Sequence, residues 1–195
     1  MSAVEARGPR KPRADGQRNR ERLVEAAKAA FADAGPEVSL DEIARRAGVG
    51  IGTLYRHFPT RDAVVEAVYR REVQQLADGA ARLLDSHSPG EALHQWMRMF
   101  VDYIATKKVI ASALGALPGA SQIYASSGTT LTDATYLLVD RAKACGDIRA
   151  EVDPADVLRA LVGFTHGNAD PAWQASALRL IDILMDGLRP PRASG

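Results

Sequence analysis

An all-α fold of about nine helices is predicted for this chain, with a three-helix N-terminal domain ahead of a larger helical one. Three observations predict it. Apolar residues recur at spacings of three and four along most of the chain, with almost none of the period-two alternation of a half-buried strand. Four segments open on helix-start signatures: Ser39-x-x-Glu42, Ser88-Pro89-x-Glu91, Asp153-Pro154 and Asp170-Pro171. Glycines, alone or beside proline, punctuate the periodic segments at Gly35-Pro36, Gly48, Pro118-Gly119 and Gly146. The expected division is a basic flexible arm over residues 1–16, a first domain over 17–61 and a second over 62–195.

The arm holds Arg7, Arg10, Lys11 and Arg13 among Gly8, Pro9 and Pro12, and the prolines argue against helix before about Asp15. The first helix then runs from Gln17 to Ala34, with Leu23, Ala26, Ala27, Ala30 and Phe31 in phase. Ser39 and Glu42 have the spacing of a capping box. Leu40, Ile43, Ala44 and Ala47 make one apolar stripe, and Arg45 and Arg46 lie off it. Gly48 falls where a left-handed cap is needed, a backbone state that costs glycine nothing.

A second short helix, Ile51 to His57, is too short to persist alone and must be held by Val49, Leu54 and Phe58. Its other face carries Gly52, Thr53, Tyr55, Arg56 and His57, small residues and then polar ones. Two short helices about a glycine turn form a helix-turn-helix. By spacing alone it suits a plain helical hairpin as well as a head that enters a DNA groove.

In the second domain Thr60 caps a helix from Arg61 to about Leu84. The Ser88 box opens another, to about Ala105, that is apolar on two faces: Leu93, Met97, Val101 and Ile104 on one, Trp96, Phe100 and Tyr103 on the other. A helix apolar on more than one face is buried. Trp96 and Tyr103 carry polar tips that need partners, so these aromatics are either plain core or the border of a cavity. Ile110 to Leu117 reads as a short separate helix. Ser121 to about Ala144 reads as a longer one, with a kink or boundary possible at the weakly helical Ser126-Ser-Gly-Thr-Thr130. Two terminal helices follow: one with Val157, Leu158, Leu161, Val162 and Phe164, and Gly163 and Gly167 four apart; the other with Trp173, Ala177, Leu178, Ile181, Leu184, Met185 and Leu188.

Composition bounds the function. Apolar residues make up 46% of the chain, ample for a core, and no run of eighteen spans a membrane. The basic, polar N-terminus has no apolar signal-peptide segment, and the cytosol is the expected compartment. One cysteine, Cys145, excludes an internal disulfide and a cysteine-rich zinc site; beside a helix end it reads as structural unless something lowers its pKa. His166, Asn168 and Asp170 are too mixed a set for a good metal site and read as polar caps of a turn. No phosphate loop, nucleophile elbow, H-E-x-x-H or tight acidic pair occurs, so no catalytic residue, metal or cofactor is expected. The formal charge of +1 hides a split. Residues 1–61 hold 12 Lys and Arg against 8 Asp and Glu, and residues 62–195 hold 13 against 16.

The run from about Arg18 to Ala67 closely resembles the DNA-binding domain of the tetracycline-repressor (TetR) family. The resemblance rests on Ala-Ala-Lys-Ala-Ala-Phe31, Gly35, Ile43-Ala44, Ala47-Gly48-Val49, Gly52-Thr53-Leu54-Tyr55-Arg56-His57-Phe58 and Arg61-Asp62. Gly50 departs from it, standing where many members have a Ser or Thr cap; glycine ranks near threonine there.

The resemblance implies a homodimeric, sequence-specific transcriptional regulator, a repressor released from its double-stranded operator by a small, largely apolar or aromatic effector. Ser39, Thr53, Tyr55, His57 and Arg61 would hold phosphates, Ile51, Gly52 and Arg56 would face base edges, and Arg45 joins the DNA-binding set. The basic arm is either a solvated tail or a further DNA contact. Trp96, Phe100, Tyr103, Leu117, Tyr124 and Thr130 are the expected effector pocket. Leu158, Leu161, Thr165, Trp173, Leu178, Ile181 and Met185 are the expected dimer interface. The alternatives are an activating or effector-independent regulator and a small helical enzyme using His94, His166 or Cys145.

Overall fold

The computed structural model describes residues 12–165 and 172–191, and the secondary structure among them is eight helices without a strand. They are α1 Pro12–Ala34, α2 Leu40–Ala47, α3 Ile51–His57, α4 Arg61–Ser86, α5 Pro89–Gly115, α6 Ala120–Ala144, α7 Pro154–Thr165 and α8 Trp173–Leu188. Residues 1–11 of the arm, the Asp170-Pro171 cap, Gly167 and the His166, Asn168 and Asp170 trio lie outside the described residues. The chain divides into two compact units at Val68/Tyr69, within α4.

In the first unit α1 begins at Pro12, earlier than the prolines suggested. Proline is tolerated in a first helical turn, where its missing N–H would have no partner anyway. Leu23, Val24, Ala27, Ala30 and Phe31 of α1 pack with Ile43, Ala44 and Ala47 of α2, Leu54 of α3, Phe58, and Val64, Val65 and Val68 of α4 as one buried core. Ser39 Oγ accepts from the Glu42 N–H at 3.2 Å, the expected cap. Gly48 closes α2 at φ +65°, donating to the Arg45 carbonyl while Val49 donates to that of Ala44.

Gly48 is constrained twice. A Cβ there would lie 2.8 Å from Nη2 of Arg22, which donates to the Ala47 carbonyl at 2.5 Å. Gly48→Ala is therefore expected to destabilise the protein by about 2 kcal/mol, for the left-handed backbone and the displaced guanidinium. Chemical denaturation checks it; an unchanged midpoint would refute the constraint.

In the second unit Trp96, Leu93, Met97, Phe100, Ile110 and Leu114 of α5 are buried with Leu138 and Val139 of α6, Val157 and Leu161 of α7, and Ala177, Ile181 and Met185 of α8. Two expectations are resolved here, and the first takes the helix count from about nine to eight. The stretch from Ala105 to Gly115 is not a break and a new helix: α5 continues through it, since no glycine or proline interrupts Thr106 to Leu114. α6 is likewise continuous through Ser126–Thr130. Its hydroxyls donate back to carbonyls three or four residues earlier: Ser126 and Ser127 to Ile123, Thr129 to Ala125, Thr130 to Ser126, Thr132 to Gly128 and Thr135 to Leu131. Such back-bonding lets Ser and Thr remain in a helix that propensity disfavours.

Candidate nucleic-acid interface and cavity

The first unit presents α3 with one face closed and the other open. Leu54 is fully buried and Phe58 nearly so, with the Arg20 guanidinium 5.1 Å from the Phe58 ring centroid. Gly52, Tyr55 and Arg56 are exposed, Tyr55 to 50%, and Ile51, Thr53 and His57 are half-exposed. A Cβ at Gly52 would meet nothing within 4 Å, so its bareness serves no internal packing. At the N-terminus of α3 the Gly50 carbonyl accepts from Thr53 and Leu54 at 2.8 and 3.3 Å, and no side chain caps the helix.

The nine expected DNA-contacting residues do not all have the same freedom. Ser39 is exposed at the start of α2, its Oγ already engaged in the cap. Arg45 is paired in two-pronged fashion with Glu42, both bonds at 2.7 Å. Arg61 donates Nη1 to the Pro36 and Val38 carbonyls at 2.6 and 2.8 Å, which ties the start of α4 to the loop before α2. Arg61, expected to hold a phosphate, thus has a structural role that spacing could not reveal. Arg56 has no ion pair or hydrogen bond among the described residues.

Glu42 binds two guanidiniums, because Arg46 also donates to it at 2.8 Å while reaching Asp33 at 2.5 Å. The hydrogen bonds from Arg45 and then Arg46 hold its carboxyl at about 2, below the ordinary 4.5. A depressed folded-state pKa gives stability that is present above the unfolded value and lost as pH falls toward the folded one. The melting temperature of the native protein should therefore exceed that of Glu42→Gln by a constant margin at neutral pH. Thermal scans should show that margin shrink between pH 4.5 and about 2; a margin that persists at the acid end would remove the cause.

The second unit encloses a cavity of about 540 Å³ between α4, α5, α6 and α7. Tyr69, Phe100, Tyr103, Ile104, Lys107, Tyr124, Gly128, Leu131, Thr132, Leu158 and Val162 line it. The Tyr69 and Tyr103 hydroxyls are 3.2 Å apart, and both residues are almost wholly buried. Burial first, then the bond to Tyr69, pushes the Tyr103 phenol far above its ordinary value, so it stays protonated. Desolvation and the neighbouring Tyr69 raise Tyr124 in the same direction. Tyr124 stands edge-on to Tyr69, with the Lys107 ammonium 5.0 Å from its ring centroid.

Of the six expected pocket residues, Phe100, Tyr103 and Tyr124 line this cavity, and Trp96, Leu117 and Thr130 do not. Trp96 is core: it is wholly buried, and its indole N–H donates to the Leu76 carbonyl at 2.7 Å. Leu117 lies in the turn after α5, where it is buried. Thr130 is on the wrong side of α6, since Tyr124, Gly128, Leu131 and Thr132 share the face that Thr130 leaves by about half a turn. The missed residues carry a legible signal. Phe100, Tyr103, Ile104 and Lys107 continue one stripe at spacings of three and four, but only the partner helices show that it faces a void.

The expected interface residues also divide. Leu161, Thr165, Ile181 and Met185 are buried within the protomer, in the phase of α7 and α8 that packs on α5 and α6. Leu158 lines the cavity, and Trp173 and Leu178 are half-exposed. The adjacent phase is exposed: Val162, Leu180 and Ile183, the last to 66%. His94 is tied to Asp182 of α8 at 2.8 Å and Cys145 is exposed; neither lines the cavity. No helix among the described residues is long and apolar enough to cross a membrane.

A helix-turn-helix unit with an open second helix, followed in the chain by a helical unit around an apolar cavity, defines the class of ligand-sensing helix-turn-helix regulators. Comparison with known proteins makes this specific. Residues 23–68 match the family model of bacterial regulatory proteins of the tetR family, and residues 88–190 match that of the SbtR-like transcriptional regulator C-terminal domain. A TetR transcriptional regulator from Streptomyces coelicolor is 42% identical, with a TM-score of 0.80 over 88% of this chain and 99% of its own. A TetR regulatory protein from Mycobacterium vanbaalenii is 37% identical, with a TM-score of 0.77 over 91% and 99%. An HTH-type transcriptional regulator from Staphylococcus aureus is 30% identical over 103 residues, 52% of this chain; the chain spans about half the length of these curated relatives. The chain belongs to the TetR family of bacterial transcriptional regulators. Members of that family are non-enzymatic proteins that bind operator DNA as dimers and bind ligands in the C-terminal domain.

Proposed function

We propose that the protein is a repressor that binds a palindromic operator as a homodimer and is released by a small apolar or aromatic effector held in the cavity. The exposed Gly52, Thr53, Tyr55 and Arg56 face on an otherwise packed α3 carries this reading. Gly52 lets the helix approach the groove, Arg56 with Ile51 meets base edges, and Thr53, Tyr55, His57, Ser39 and the free nitrogens of Arg61 meet phosphates. Arg45, neutralised by Glu42, contributes less.

One seven-residue helix makes few base contacts, and two related by symmetry read a palindrome. The exposed phase of α7 and α8, with Val162, Leu180 and Ile183 beside Trp173 and Leu178, supports pairing through these helices. For release, the effector must bind the DNA-free conformation more tightly than the DNA-bound one. α4 is the natural lever, since it is one unbroken helix that carries Val64 and Val65 of the first core and Tyr69 of the cavity.

A mobility shift on DNA upstream of the protein's own gene tests the reading. Binding should weaken steeply as salt rises, because phosphate contacts release counterions. Binding that ignores salt, or none to any duplex, would refute it.

A further inference from the structure

The cavity holds two features that a purely apolar guest would leave unused. The first is Lys107. Its ammonium sits over the Tyr124 ring at 5.0 Å and has no carboxylate partner among the described residues. The second is the Tyr69–Tyr103 pair. Two hydroxyls carry two hydrogens, and one of them is used in the 3.2 Å bond between them. The other hydrogen has no protein acceptor among the described residues, although both side chains are more than nine-tenths buried and both line the cavity. Leaving a buried donor unmet is unfavourable, so a guest that supplies an acceptor there gains twice.

We infer that the effector is an amphipathic monocarboxylate: an apolar or aromatic body lying against Phe100, Ile104 and Leu131, and a carboxylate that accepts from the Lys107 ammonium and the tyrosine pair. One cation, the spare hydrogen of the tyrosine pair and the Tyr124 hydroxyl suit two oxygens sharing a single charge. A phosphate, with up to two charges, would leave its second charge without a cation, since Lys107 is the one cationic side chain in this lining. Lys107 is half-exposed and the tyrosine pair is buried, so the head sits between the two while the body lies against the apolar lining. The inference rests on the proposed role of the cavity as an effector site, but its chemistry is tested without DNA.

The test uses the full-length protein and matched probes, 2-naphthoate against 2-naphthamide and laurate against dodecanol, with calorimetry and thermal shift as readouts. At least one carboxylate should bind about tenfold or more tightly than its neutral partner, the ratio that a paired charge in a partly dry site commands. Lys107→Met should erase that preference while leaving the neutral probe unchanged, and Tyr103→Phe should narrow it. The control is Lys108→Met, whose ammonium lies over Trp173 at 3.8 Å and outside the cavity; it should keep the preference.

Equal binding of both partners, binding of no carboxylate, or a preference that survives in Lys107→Met or vanishes in Lys108→Met would each overturn the inference. A mobility shift with the bound carboxylate separates this from the effector reading. Lys107-dependent binding that leaves the DNA complex intact upholds the anion site and refutes its role in release.

Discussion

Trp96→Ala is expected to cost about 3–5 kcal/mol of folding stability, a large share of the roughly 5–15 kcal/mol that holds a domain together. The indole is wholly buried, and its N–H donates to the Leu76 carbonyl, so truncation removes the largest buried side chain and a bond between α5 and α4 together. Its ring stands 6.0 Å from that of Phe100, which borders the cavity, so the damage should also loosen one cavity wall. Urea titration of the full chain is the measurement. The midpoint should fall sharply with the slope preserved, while Trp96→Phe should lose only a fraction as much. A loss below about 1 kcal/mol would mean that the site collapses freely onto the gap, contrary to a packed core.

Arg56→Ala is expected to weaken operator binding by about 1–3 kcal/mol at each half-site, hence about 2–6 kcal/mol for a dimer, and to relax discrimination at one base pair. The side chain is exposed and has no internal partner among the described residues, so its removal leaves the fold alone. An operator library read by mobility shift separates two outcomes. Loss concentrated at one position identifies a base contact, and uniform loss with a shallower salt slope identifies a phosphate contact. No loss at all would remove Arg56 from the interface. Thermal denaturation should be unchanged throughout.

The legible parts of this protein are those that local chemistry specifies. Ser39 and Ser88 announce their helices because a cap needs only its own next three residues, and Gly48 announces a turn because left-handed backbone disfavours every other side chain. The head could be read nearly whole for that reason. The cavity could not, because a void is a property of four helices at once. Trp96 and Tyr103 are alike in sequence, both aromatic, polar-tipped and on one stripe, yet one meets the Leu76 carbonyl and the other a tyrosine at the edge of open space. The same holds for α7 and α8. Leu161 and Ile183 are equally apolar on paper, and only the position of α5 and α6 decides that the first is buried and the second exposed. The α5 extension is not legible for a milder reason: the residues after Ala105 are less strongly periodic, and tertiary burial of Ile110 and Leu114 carries the helix on.

The back-bonded hydroxyls of α6 have a directional consequence. Thr132 borders the cavity, but its hydrogen is committed to the Gly128 carbonyl, so toward a guest it offers lone pairs alone. Lys107 and the tyrosine pair, in the same lining, offer hydrogens. The lining thus holds hydrogen donors together with one hydroxyl that can only accept. A molecule that carries both an acid and a donor group would meet a partner of the opposite kind for each, which would set its direction in the cavity.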